Sequence, residues 1–195
     1  MELAKQKGVT LIELLVYITI MLMVFSMGYD FIVRGFTSTT FSSEQEEAID
    51  NARKTVEILS EEIRGANNSD NGSYPIETMD EQEFIFYSDI DDDDSMEKIR
   101  YYIDTTDNTV KKVLTPAGPS SDYSGASETS TVASYVNNVS EPLFLYFDRN
   151  GDESSVINDV RMVGIQVKIN VTPERAPNDY YVETNVHLRN LKDNL

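Results

Sequence analysis

The residues able to do chemistry in this sequence are few, and most are carboxylates. One stands alone: Glu13 lies inside KGVTLIELLVYITIMLMVF (7–25), where an isolated charge at membrane depth costs roughly 2.5–3.5 kcal/mol. Asp148, Asn150 and Asp152 alternate at the start of DRNGDESSVIND (148–159), as oxygen ligands do when they open a calcium loop. An EF-hand needs Gly sixth and Glu twelfth, and Glu153 and Asp159 stand there instead. Gly151 follows Asn150, and Asn-Gly between strands signals a hairpin. A plain turn is the first reading and a calcium site the second. DIDDDD (89–94) is a further oxygen cluster suited to a hard cation, although runs of like charge usually form solvated loops.

His187 sits between Val186 and Leu188 with no second histidine in the chain, no cysteine and no Glu-x-x-His pattern. It reads as a structural or surface side chain. No nucleophile elbow, P-loop or dinucleotide fingerprint occurs. The expectation is a protein that is not an enzyme and holds no cofactor, with calcium the one ligand left open. Thirty-four Asp and Glu stand against 16 Lys and Arg, for a net charge of −18. Such a surface repels phosphate backbones, so direct nucleic-acid binding is not expected. Cysteine is absent, which removes disulfides, thiolate metal sites and thiol nucleophiles.

These groups must be positioned by the surrounding elements, and the pattern changes three times along the chain. Residues 1–8, MELAKQKG, are short and polar and carry Lys5 and Lys7. The apolar run follows from Val9 to Val33, and Leu14–Val33 as a helix spans about 30 Å, a hydrocarbon core. Lysines ahead of it place the N-terminus in the cytoplasm and the body outside. Next, Phe41, Ala48, Ile49, Ala52, Val56, Leu59 and Ile63 recur at three- and four-residue steps, opposite Glu44, Glu46, Glu47, Lys54, Glu57 and Glu61. That is a helix with one buried stripe, stopped by Gly65 and ANNSDNGS. If the two segments are continuous, Val9–Arg64 makes one helix roughly 85 Å long, which Gly35 and TSTT (37–40) would bend or loosen.

Beyond Pro75 the period becomes that of strands: 83–89, 98–104, 109–115, 142–148, 160–172 and 180–191. The 11 tyrosines concentrate there, where strand propensity accounts for them. PAGPSSDYSGASETSTVAS (116–134) reads as a flexible surface loop. A helix stripe followed only by strands predicts an α+β fold, the helix laid on an antiparallel sheet.

KGVTLIELLV resembles the processing site of type IV prepilins and pseudopilins: a short basic leader ending in Gly, an apolar helix, and Glu at the fifth mature position. The resemblance implies a leader of residues 1–8 with Gly8 last, and Val9 as the mature N-terminus and site of N-methylation. The family usually has Phe where this chain has Val9. It further implies a filament-core helix (9–34), an amphipathic helix (35–65) and a sheet domain (66–195), the family's pilin-like layout. More narrowly, IRYYID, LFLYFDRNG and VETNVHLRNL are similar to the minor-pilin or J-type pseudopilin branch. Glu13 is then the assembly residue, facing the free N-terminal amine of a neighbouring subunit. The implied partners are prepilin peptidase, other pilins, the inner-membrane assembly platform and membrane lipid. The implied location is the cytoplasmic membrane, then a surface or periplasmic filament. The residues also admit a single-span anchor with an uncleaved signal, carrying an extracytoplasmic binding domain.

Overall fold

The computed structural model describes residues 8–138, 140–170 and 179–191. Lys5, Lys7 and the rest of the expected leader before Gly8 lie outside them, as do Val171 and Thr172 of the fifth expected strand. The chain divides into two compact units, one up to Glu44 and the other from Gln45 onward.

Helix α1 (Leu11–Arg64) begins in the first unit and ends in the second. Its start is written locally. Thr10 precedes the first turn, and its hydroxyl accepts a hydrogen bond from the Glu13 N–H at 3.3 Å. Thr-x-x-Glu is the spacing of a capping box, and an acid in the first turn also complements the helix dipole. Through TSTT the helix is not interrupted: the hydroxyls of Thr37, Thr39 and Thr40 donate to the carbonyls of Val33, Gly35 and Phe36. The helix thus continues through Gly35 and TSTT, with the three threonine hydroxyls bonded back to carbonyls four residues earlier.

In the second unit the stripe is buried as its spacing requires, through Ala48, Ala52, Val56, Leu59 and Ile63, with Thr55 added. Gly65 closes the helix, its N–H shared between the carbonyls of Glu61 and Glu62. A Cβ at this glycine would lie 2.9 Å from Ser88 Oγ, so the close approach of helix end and strand needs it.

The strands form two antiparallel sheets rather than one. The first is a meander of β1 (Ile76–Met79), β2 (Glu83–Ser88), β3 (Glu97–Asp104), β4 (Thr109–Thr115) and β5 (Glu128–Ala133), in that order. The second is β6 (Phe144–Phe147), β7 (Met162–Ile169) and β8 (Tyr180–His187). One core runs beneath the helix across both sheets. Phe84 joins them, its ring 5.5 Å from both Phe144 and Tyr146 and 5.0 Å from Phe86. The Glu81 carbonyl accepts from the N–H groups of Leu143 and Phe144, and Tyr146 Oη donates to the Asp80 carbonyl.

Two sequence expectations are corrected. Residues 116–134 are not all loop, since Glu128–Ala133 is a strand paired with β4. Its Thr and Val are β-branched and suit a pleated surface, a preference that the serine-rich composition disguised. Val132 falls at a bulge, and its freed carbonyl accepts the buried Thr55 hydroxyl of α1. The earlier half of the stretch is tied down by Tyr123, which donates to the Met96 carbonyl at 2.8 Å and packs on Tyr87 at 5.0 Å. The last expected strand also stops early, β8 ending at His187 before a 3₁₀ turn at Arg189–Leu191.

Candidate functional site

At the N-terminal end, Gly8, Val9 and Thr10 are exposed and non-helical, and α1 starts one residue later. The Gly8–Val9 peptide thus lies outside helical hydrogen bonding, where a protease can bind it as an extended chain. A Cβ at Gly8 would meet nothing within 4 Å, and its backbone is not in the left-handed region. Among the described residues, no packing requires glycine there. A requirement for it must come from something that handles the chain.

From Leu11 to Phe36 the apolar side chains of α1 are exposed on every face. By length and composition this is a helix fit to cross a membrane, with none of its most apolar window buried. A helix apolar all round is stable only when something else covers it. Glu13 projects from the first turn of this surface, bonded through its backbone to Thr10.

The alternating acids fold into a turn. Asp148 Oδ1 accepts from the N–H groups of Asn150 (2.7 Å) and Asp152 (3.0 Å), while Oδ2 accepts from Asn150 Nδ2. Gly151 takes φ +85°, the left-handed conformation that the turn needs. The N–H of Asp152 leads the bonds holding the Asp148 carboxyl below its ordinary range. Backbone N–H groups thus engage Oδ1, and the Asn150 side chain engages Oδ2. His187 is exposed at the end of β8, where it pairs with Met162.

Among the described residues, Asp89, Asp91 and Glu97 each bring a carboxylate oxygen within 4.8 Å of the others. DIDDDD contributes two of them, but Glu97 was not singled out from sequence. It opens β3 directly opposite Ser88 and is only 6% exposed. Its Oε2 accepts the Ile90 N–H at 2.9 Å. Burial pushes the Glu97 carboxyl up, with the charges of Asp91 and Asp93 adding to it. A raised acid stabilises the fold below its unfolded range and loses that contribution as pH climbs through its folded value. Glu97→Gln keeps an acceptor for Ile90, so at pH 7 in EDTA it should raise the melting temperature by on the order of 2–4 °C. The gain should disappear towards pH 4, in thermal scans at both pH values. A gain that persists at pH 4 would contradict this reading.

With the exposed Gly8–Val9 peptide, the carboxylate and the uncovered helix in place, the comparison with protein families becomes specific. Residues 3–29 match the prokaryotic N-terminal methylation motif. This motif spans Gly8, Val9, Glu13 and the whole uncharged stretch Leu14–Tyr29, and supports a type IV prepilin-like precursor. It is a structural pilin motif rather than an enzyme family. No curated protein and no solved structure gives a match.

Proposed function

We propose that this chain is a minor pilin or pseudopilin subunit, cut after Gly8 by a prepilin peptidase. Held by its apolar helix in the cytoplasmic membrane, it then enters a type IV pilus-like or type II secretion filament with other pilins through the inner-membrane assembly platform. The observation that carries this reading is the arrangement of the N-terminal unit. An exposed, non-helical Gly8–Val9 peptide stands just ahead of a helix whose apolar surface is entirely uncovered, with Glu13 at its fifth position after the cut. Neighbouring helices cover such a surface as well as lipid does, and in a polymer the amine created on a neighbour's Val9 gives the carboxylate a partner.

The sheet unit supplies the outward surface. Its acidic balance disfavours direct gripping of nucleic acid. Gly8→Phe tests the assignment. Since no packing among the described residues requires glycine, the variant should fold and insert as the parent does. It should remain at precursor size on immunoblots of cells expressing the peptidase, where the parent shifts to the mature size. Equal processing of both would remove the assignment.

A further inference from the structure

Asn-Gly occurs twice in this chain, at Asn71–Gly72 and Asn150–Gly151. The dipeptide is chemically reactive, because a glycine nitrogen with no Cβ beside it can attack the amide carbon of the preceding asparagine side chain. The two turns match closely. Both asparagines are exposed, and Gly72 and Gly151 take φ +83° and +85°. Each glycine N–H donates three residues back, to the carbonyls of Ser69 (2.8 Å) and Asp148 (3.2 Å).

What differs is the side-chain amide. Asn71 Oδ1 accepts three hydrogen bonds, from Ser73 Oγ at 2.6 Å, Ser69 Oγ at 2.7 Å and the Ser73 N–H at 3.0 Å. The last comes from two residues on, so the Asn71 amide folds forward across Gly72. The Asn150 amide is drawn backwards instead, its Nδ2 donating to Asp148 Oδ2 at 3.1 Å. Donors on Oδ1 polarise the carbonyl and stabilise the charge that attack builds there. A carboxylate beside the amide opposes that charge.

We propose that Asn71 is a self-modifying site, converted to aspartyl and isoaspartyl within its own turn, while Asn150 in the matching turn persists. Gly72 N gives its proton to hydroxide and bonds to Asn71 Cγ. The Cγ–Nδ2 bond breaks, and Nδ2 takes a proton from water and leaves as ammonia. Water then opens the five-membered imide, at Cγ to give aspartyl or at the main-chain carbonyl to give isoaspartyl. Either product adds a negative charge, and isoaspartyl also lengthens the main chain by one methylene between α1 and β1. Its neighbour Asp70 bonds Ser95 Oγ at 3.0 Å and the Met96 N–H at 3.1 Å, and donates its own N–H to Tyr123 Oη at 3.3 Å. The modification therefore loosens the corner that ties the β2–β3 connection and the Tyr123 segment to the end of α1.

The full-length chain in detergent, held at mildly alkaline pH, tests this by peptide mapping after digestion in acid, where imide formation is slow. Asn71 should lose its amide at least about tenfold faster than Asn150. In guanidinium chloride, which erases both turns, the two rates should converge. Ser73→Ala keeps the N–H but removes one hydroxyl donor from Asn71 Oδ1. It should slow Asn71 about threefold and leave Asn150 unchanged. Three results would each overturn the inference: Asn150 losing its amide as fast as Asn71, a rate ratio that survives denaturation, or an Asn71 rate in Ser73→Ala equal to the parent's.

Discussion

Glu13→Gln is expected to block entry into filaments as completely as Glu13→Leu, while both variants still insert into the membrane. Two physical roles compete for this glutamate. It occupies the third position of α1, where the Thr10 hydroxyl bonds its N–H and where a capping box and the helix dipole both favour an acid. That role is local, and Gln fills most of it. The other role is intermolecular: in the proposed filament the carboxylate meets the amine that cleavage creates on Val9 of a neighbour. Removing one member of such a buried pair leaves the other charge stranded, at about 3–5 kcal/mol. That corresponds to a loss of incorporation of at least about a hundredfold at 1.4 kcal/mol per decade. Neutralising a carboxylate at membrane depth does not harm insertion, since its charge is the costly part. Immunoblots of sheared filaments against the membrane fraction measure the difference. If Gln assembles normally and Leu does not, Glu13 acts as a helix cap and the registry role is wrong.

The second large effect lies in the sheet unit. Glu62 on α1 accepts Tyr101 Oη at 2.7 Å and pairs with Lys112 Nζ at 2.5 Å, which ties the helix to β3 and β4 at once. The Glu62 and Lys112 side chains are only 11% and 15% exposed. Burial first, and the Glu62 charge second, hold the Tyr101 hydroxyl well above its ordinary range, so it remains a donor. Glu62→Leu strands the ammonium and the hydroxyl together, and should cost about 3 kcal/mol. For a chain of this size that is a fall of about 6–12 °C in melting temperature. The double variant Glu62→Leu/Lys112→Met should recover about half of the loss, because an apolar pair replaces the ion pair at little cost while the Tyr101 hydroxyl stays without its acceptor. Circular dichroism of the detergent-solubilised full chain completes the cycle. A double variant no more stable than the single would show that the pair does not carry this contact.

What could be read from sequence follows a physical division. The stripe Ala48–Ile63 was legible because a helix at one interface repeats its apolar residues at a fixed period, and burial follows that period. Strands β2, β3 and β4 were legible as short runs of strand-forming residues set between Asp-rich or Asn-containing turns. The short strand β1 was not. Ile76–Met79 has only four residues, and it pairs at an edge beside Pro75, whose carbonyl accepts the Tyr87 N–H. Strand β5 was hidden by serine and threonine, residues that composition assigns to loops but that an edge strand accepts. The division into two sheets depends on Phe84, Phe144 and Tyr146 meeting across the fold, a long-range packing choice that local periodicity cannot report.

The candidate sites divide in the same way. Gly8, Val9 and Glu13 form a continuous pattern, and the family match covers them without any tertiary information. Glu97 reaches Asp89 and Asp91 through strand register, so only the fold brings these carboxylates together. The capping partner of Glu13 was visible in principle, since Thr10 stands three residues ahead of it. Membrane depth drew attention to the charge first. The cap matters because it supplies the competing explanation that Glu13→Gln can separate.

The central claim is that residues 1–8 are a leader removed at Gly8–Val9, and the mature N-terminus tests it directly. The chain would be purified from membranes of cells with an active prepilin peptidase and from cells lacking it, and its intact mass and N-terminal peptide determined by mass spectrometry. The account predicts a chain starting at Val9 in the first case and a chain retaining residues 1–8 in the second. The same N-terminus in both, or a cut beyond the apolar helix, would contradict it.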